Sequence, residues 1–180
     1  MVQVLPQPQL LLLQLPEALG LNVTQEQFVA LAAVNHDLRL ERTATGELIV
    51  NPPTGGESGK RNLSITGQLS NWFESNETLG AAFDSSTGFK LPNGANRSPD
   101  ASWVRRDRWE ALTPEQREGF MPLCPDFVVE LRSRTDSLTT LRSKMQEYFG
   151  SLPGRVGTRG WLVDDFCPWP GLPAIAEQTT

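Results

Sequence analysis

The chain has 180 residues, 38% hydrophobic and 21% charged, with a formal net charge of −5. This predicts one globular domain and argues against a general, charge-driven binder of nucleic acid. Cys124 and Cys167 make neither a disulfide framework nor a zinc spacing, and the single histidine, His36, stands in a helix-exit segment where a structural or solvated role is expected.

Leu10, Leu11, Leu12, Leu13 and Leu15 form a run too short to cross a bilayer, broken by Pro16. No basic residue precedes it, as a signal peptide would require. A soluble, cytoplasmic protein is expected, with residues 1–20 as a loosely packed arm. Thr24 is a candidate N-cap, and Gln27 three residues on completes a capping box. Phe28, Leu31, Ala32 and Val34 then follow a helical spacing to about Asn35. Leu38, Leu40 and Arg42 suit a strand, and Glu47-Leu48-Ile49-Val50 beyond Gly46 suits its hairpin partner.

Pro52-Pro53-Thr54-Gly55-Gly56 reads as a loop. Gly59-Lys60 is not a phosphate loop, since Thr54 stands where the motif needs Gly and Arg61 where it needs Ser or Thr. A helix is expected from about Ser58 to Ser75, with Leu63, Leu69, Trp72 and Phe73 as core contacts. Ala81-Ala82-Phe83 and Gly88-Phe89-Lys90-Leu91 suit short strands, and Pro92-Asn93-Gly94 suits a turn. Residues 100–104 suit a strand. Thr113 before Pro114 marks a helix start in the charged stretch that follows.

Phe127-Val128-Val129 reads as a buried strand, and Glu130 ends it. A carboxylate there is costly to bury unless paired or bound to metal. A helix from about Asp136 would bury Leu138, Leu141, Met145 and Phe149, with Lys144 on the border of that stripe beside Tyr148. Trp161-Leu162-Val163 is the last strand. Asp100, Glu130 and Lys144 together suit Mg²⁺ binding and water activation against a phosphodiester. Their spacing alone also allows, and more simply, a solvated Asp, a helix-facing Glu and a surface Lys. Residues 90–160 carry twelve of the sixteen Lys/Arg and nine of the 21 Asp/Glu, so the basic excess lies in the half that holds these candidates.

The chain resembles the Uma-type restriction endonuclease family, within the restriction-endonuclease-like, or PD-(D/E)XK, superfamily. The carriers span roughly residues 24–164. They are Gly46-Glu47-Leu48-Ile49-Val50 with Pro53-Thr54-Gly55, Ser85-Ser86-Thr87-Gly88-Phe89, and Arg97-Ser98-Pro99-Asp100. After these come Pro125-Asp126-Phe127-Val128-Val129-Glu130, Lys144-Met145-Gln146-Glu147-Tyr148 and Gly160-Trp161-Leu162-Val163-Asp164. The resemblance implies an α/β (α+β) fold, a mixed central sheet flanked by helices, over residues 21–165. It implies that Asp100 and Glu130 are the superfamily acids holding Mg²⁺ (or Mn²⁺), with Glu41 as a supporting ligand. The superfamily lysine position holds Arg132, a candidate phosphate contact, and the resemblance assigns the lysine's role to Lys144 on the next helix. Asp126 fits the start of the strand better than a ligand.

The chain departs from the family after Tyr148. Gly150-Ser151-Leu152-Pro153-Gly154 lengthens one connection, and Cys167-Pro168-Trp169-Pro170-Gly171-Leu172-Pro173 cannot form a central strand. Residues 166–180 are therefore a separate Pro-rich tail. The expected function is a metal-dependent endonuclease acting on DNA. One alternative is a nucleic-acid-binding or regulatory protein on a nuclease fold without turnover. Another is a glycosidase using the Asp100/Glu130 pair, although Trp103 fits a strand core better than a sugar platform. Many nucleases dimerise to cut two strands, and the sequence leaves a homodimer open.

Overall fold

A computed structural model describes residues 20–134, 136–151 and 159–163, the last five by backbone alone. The expected arm, the Pro-rich tail with Cys167, and most of the lengthened connection lie outside the described residues. Thr24 caps the first helix, α1 (Gln25–Val34), through the expected capping box: its hydroxyl accepts from Gln27 N and the Gln27 side chain accepts from Thr24 N. The expected apolar stripe narrows to Phe28, which is fully buried and meets Phe120 edge-on at 5.1 Å. Val34 is exposed instead.

Strands β1 (Arg39–Arg42) and β2 (Leu48–Asn51) pair antiparallel as the hairpin expected. Gly46 turns the chain between them at φ +98, a conformation that favours glycine. Helix α2 (Gly56–Glu74) contains Gly59-Lys60 and buries Ile65 and Leu69. Leu63, expected in the core, is 75% exposed. Strand β3 (Gly80–Asp84) and strand β4 (Phe89–Lys90) are joined through Asp84-Ser85-Ser86-Thr87 but do not pair, because the segment carries the chain from one sheet to another. Strands β5 (Asn96–Arg97) and β6 (Ala101–Arg105) follow the Pro92-Asn93-Gly94 turn. Short helices α3 (Arg106–Glu110) and α4 (Pro114–Glu118) fill the charged stretch, the second capped by Thr113. Strand β7 (Phe127–Leu131), helix α5 (Leu138–Gly150) and strand β8 (Arg159–Val163) complete the order.

The strands form two four-stranded sheets, ordered β2-β1-β5-β4 and β3-β6-β7-β8. Within the second, β7 runs antiparallel to β6 and parallel to β8, giving the mixed sheet that was expected. One face of this sheet packs Ala101, Trp103, Phe127, Val129 and Leu131 on Ile65 and Leu69 of α2. The other face packs Val104 and Val128 on Met145 and Tyr148 of α5, together with Phe89 and Leu91. Phe149 points away from this core and is exposed, against the expected stripe. Burial of β7 on both faces explains its unbroken apolar run before Glu130.

Gly80 tests the packing at the other side of that sheet. A Cβ there would lie 2.1 Å from the Val104 carbonyl oxygen and 2.8 Å from the Trp103 ring. Gly80→Ala is expected to destabilise the fold by about 1–3 kcal/mol, read as a lower urea midpoint. An unchanged midpoint would contradict this packing.

Candidate active site

Side chains alternate across a strand, so Val128 and Glu130 share the face of β7 that lies under α5. The register pairs Ala101 with Val129. Carried one residue outward, it sets Asp100 opposite Glu130. Cross-strand neighbours on one face have Cβ atoms about 4.5–5.5 Å apart, and like charges so placed repel. The sheet therefore brings two carboxylates together at a point that needs positive charge.

Helix α5 and strand β1 supply it. Lys144 Nζ lies 2.8 Å from Glu130 Oε1 and 2.9 Å from Glu41 Oε1. Tyr148, one turn further along α5, donates its hydroxyl to the same Glu130 Oε1 at 3.0 Å. Arg39 and Glu41 stand two residues apart on β1 and share its inner face. Arg39 Nη1 lies 3.1 Å from Asp100 Oδ1, and Nη2 donates to the Ser98 carbonyl at 2.6 Å. Asp100 Oδ2 accepts from Leu131 N at 2.8 Å. Arg97 Nη1 reaches Glu41 Oε2 at 3.2 Å, and Arg97 Nε pairs with Glu147. Asn93 in the turn donates to Glu147 Oε1 at 3.0 Å. The cluster thus joins Glu41, Asp100, Glu130 and Glu147 with Arg39, Arg97 and Lys144, one negative charge in excess when all are ionised.

Glu41 and Glu130 are each 2% exposed. Burial pushes the Glu130 carboxyl up to about 7, with Asp100 and Glu41 adding to the rise and Lys144 opposing it. Burial also works to raise Glu41, but Lys144, Arg97 and Arg39 outweigh it and hold that carboxyl below its ordinary value. For Lys144, burial is outweighed by Glu130 and Glu41, so the amine stays charged. Burial, reinforced by Glu130 and Glu41, holds the Tyr148 phenol well above its ordinary value, which keeps it a hydrogen-bond donor.

The donors on this face are hard carboxylate oxygens, the type that Mg²⁺ takes, and two of them with waters and substrate phosphate suffice. Asp100 and Glu130 fit that pair. Among the described residues no three His, Cys, Asp or Glu side chains are grouped to hold an ion. Glu41, the expected supporting ligand, has both oxygens engaged: Arg97 on Oε2, Lys144 and Ser98 N on Oε1.

A raised Glu130 carboxyl has a signed consequence. Below its ordinary 4.5 the group is protonated in folded and unfolded chains alike, and its contribution to stability is fully present. As pH rises from there through about 7, only the folded chain still holds the proton, and that contribution is lost. A divalent ion held by Glu130 would compete with the same proton. Mg²⁺ affinity is expected to rise as pH passes through about 7, with proton release on binding. Calorimetry in two buffers of different ionisation heat measures this, and a flat profile would contradict it.

The other sequence candidates make contacts of their own. Arg132 lies half-buried just past β7, with Nε donating to the Asp136 carbonyl at 3.3 Å. Asp126 serves the strand start, accepting from Arg105 N at 2.9 Å and pairing with Arg108. His36 is exposed. Trp103 is buried against Trp72. Arg39, Arg97, Glu147 and Tyr148 were given no site role from the sequence, although all but Arg39 stand in motifs that carry the resemblance. The available signals were spacings: Arg39 two residues before Glu41 on a strand, Glu147 and Tyr148 three and four after Lys144 on a helix.

A family model, Uma2, described as "Putative restriction endonuclease", matches residues 25–165. A search of curated proteins finds no match. The solved structures that resemble the chain include a protein from Anabaena variabilis, described as a "putative nuclease belonging to DUF820". Its TM-score is 0.53 at 19% identity, over 69% of this chain and 65% of that one. The match spans less than two thirds of that protein, and it supports the mixed α/β fold. No helix among the described residues is long and apolar enough to cross a membrane.

Proposed function

The chain belongs to the Uma2 family, and from that membership we propose that it is a Mg²⁺-dependent endonuclease hydrolysing phosphodiester bonds of DNA, with Mn²⁺ able to substitute. One observation carries the reading: the register of β6 and β7, carried one residue beyond β6, sets Asp100 opposite Glu130, and Glu130 lies beneath a lysine held in place by two carboxylates. Purely structural ion pairs do not require two acids set opposite each other in a buried sheet. A glycosidase would set exposed aromatic rings beside the pair, whereas Trp103 is buried against Trp72.

In this reading Asp100 and Glu130 hold the ion, which supplies Lewis acidity to the phosphoryl group. Leu131 N fixes one oxygen of Asp100, and Tyr148 fixes one oxygen of Glu130, so neither carboxylate is free to rotate. Lys144 is charged, so it acts as a donor: it orients the attacking water and stabilises charge developing on the phosphate. Glu41 supports the site by holding Lys144, and Arg97 in turn holds Glu41. Arg132, at the strand exit, is assigned to a phosphate contact, since a guanidinium clamps phosphate and stays protonated.

Supercoiled plasmid incubated with the full chain is expected to be nicked or linearised with Mg²⁺ and left intact with a chelator. Intact plasmid under both conditions, with DNA still bound, would replace this reading with a binding protein on a nuclease fold. Arg132→Ala is expected to remove most DNA binding, about tenfold or more for a lost charge-assisted contact, while Arg132→Lys weakens it less. The comparison holds at one fixed salt concentration. Parent-like binding by Arg132→Ala would return Arg132 to a structural role.

A further inference from the structure

Both oxygens of Asp100 are occupied, by partners of different kinds. Oδ2 accepts from a backbone donor, Leu131 N, which the sheet holds in place. Oδ1 meets a side chain, Arg39 Nη1, which can move. Each oxygen keeps a lone pair beyond these bonds, but only the partner on Oδ1 can swing aside to make room for an ion, and that partner is Arg39.

Arg39 is built differently from the other cations of the cluster. Its side chain is 32% exposed, against 13% for Lys144 and 9% for Arg97. Lys144 is pinned between Glu41 and Glu130 and Arg97 between Glu41 and Glu147, while Arg39 has one carboxylate and one carbonyl. Its Nε is buried without a hydrogen-bond partner, so its donor capacity is not used up. Arg39 also comes from β1 in the sheet β2-β1-β5-β4 and reaches across to the strand-end acid of the other sheet. It lies where the two sheets meet and at the solvent side of the cluster.

We propose that Arg39 is the exchangeable counter-ion of Asp100. It neutralises the carboxylate while no divalent ion is present, and it moves to a phosphate oxygen of the substrate once an ion takes Oδ1. The inference rests on the metal-dependent reading above and adds to it the residue that couples ion binding to phosphate binding. Two cations on one carboxylate oxygen repel strongly at such short range, which drives the exchange. The planar guanidinium fork matches a phosphate bidentately, and the partnerless Nε gains an acceptor. Charge agrees with this. A divalent ion turns the cluster's excess of one negative charge into an excess of one positive charge, which one phosphodiester neutralises.

The exchange predicts two effects of opposite sign in one variant. Without Arg39, Asp100 Oδ1 is open and a competing cation is gone, so Mg²⁺ binds more tightly. The phosphate contact is gone as well, so DNA binds less tightly. A residue with a merely structural role would weaken both or neither. The test uses the full chain as parent, Arg39→Ala, Arg39→Lys and Glu130→Gln. Mg²⁺ binding is measured by calorimetry without DNA, and binding of a labelled duplex by anisotropy in Ca²⁺. Circular dichroism melts check that each variant folds.

Arg39→Ala is expected to bind Mg²⁺ about fivefold to tenfold more tightly and the duplex about tenfold more weakly. Arg39→Lys, which keeps the charge but not the fork, should lie between parent and Arg39→Ala in both measurements. Unchanged or weaker Mg²⁺ binding in Arg39→Ala overturns the exchange, and unchanged duplex binding overturns the phosphate contact. Glu130→Gln separates this failure from failure of the metal reading. If parent and Glu130→Gln bind Mg²⁺ equally, or neither binds it, the metal reading falls and the exchange with it. If only Glu130→Gln loses the ion while Arg39→Ala matches the parent, the exchange alone is wrong.

Discussion

Lys144→Ala is expected to remove metal-dependent cleavage and to destabilise the ion-free chain. Its ammonium is the shared counter-ion of Glu41 and Glu130, both almost fully buried. Removing one partner of a buried pair costs about 3–5 kcal/mol, because the remaining charge stays buried. Here the two acids respond differently. Glu130 already takes up a proton near pH 7, so it can become neutral when Lys144 is gone. Glu41 loses with Lys144 the strongest influence that holds it below its ordinary value, and keeps Arg97 as its remaining close partner. The loss should therefore shrink as pH falls below about 7 and grow above it. Urea melts at several pH values measure this. A loss of activity with the parent's stability at pH 8 would mean that Lys144 acts only on substrate.

Glu130→Gln should show the opposite relation between stability and function. The amide keeps the shape of the side chain and can still accept from Tyr148, and a buried charge opposite Asp100 disappears. The unfolding midpoint is expected to equal or exceed the parent's at pH 8. Cleavage should nonetheless fall by about a thousandfold or more, since removing one member of a cooperating site is nearly as damaging as removing all. Mg²⁺ binding should fall with it. Function that opposes stability is the mark of a site kept for chemistry. Persistent Mg²⁺-dependent cleavage by purified Glu130→Gln would remove Glu130 from the mechanism.

The sequence was most legible where local chemistry decides the outcome. Thr24 with Gln27 and Thr113 with Pro114 cap helices because capping needs only neighbouring residues. The run before Glu130 reads as a buried strand because it is covered on both faces. What failed depended on contacts distant in the chain. Val34, Leu63 and Phe149 are apolar at helical spacing, yet they face solvent, since which stripe of a helix is covered depends on the sheet it meets. Ala81-Ala82-Phe83 and Gly88-Phe89 read as short strands, but that they belong to two different sheets is decided by contacts distant in the chain.

The candidate site divides in the same way. Asp100, Glu130, Lys144 and Glu41 were named from the sequence, and the fold brings all four into one cluster. Arg39, Arg97 and Glu147 were given no role there because a charge becomes informative only when its partner is known. Arg39 and Asp100 are 61 residues apart, and Arg97 and Glu147 are 50 apart. Nothing local distinguishes those arginines from the paired surface ones at Arg105 and Arg106.

The most direct test of the whole account is a crystal structure of the chain soaked in Mg²⁺ or Mn²⁺. The predicted result is one ion bound by an oxygen of Asp100 and an oxygen of Glu130, at about 2.0–2.1 Å for Mg²⁺. An ion seated elsewhere, or none at saturating concentration with Arg39 still on Asp100 and Lys144 still on Glu130, would contradict it.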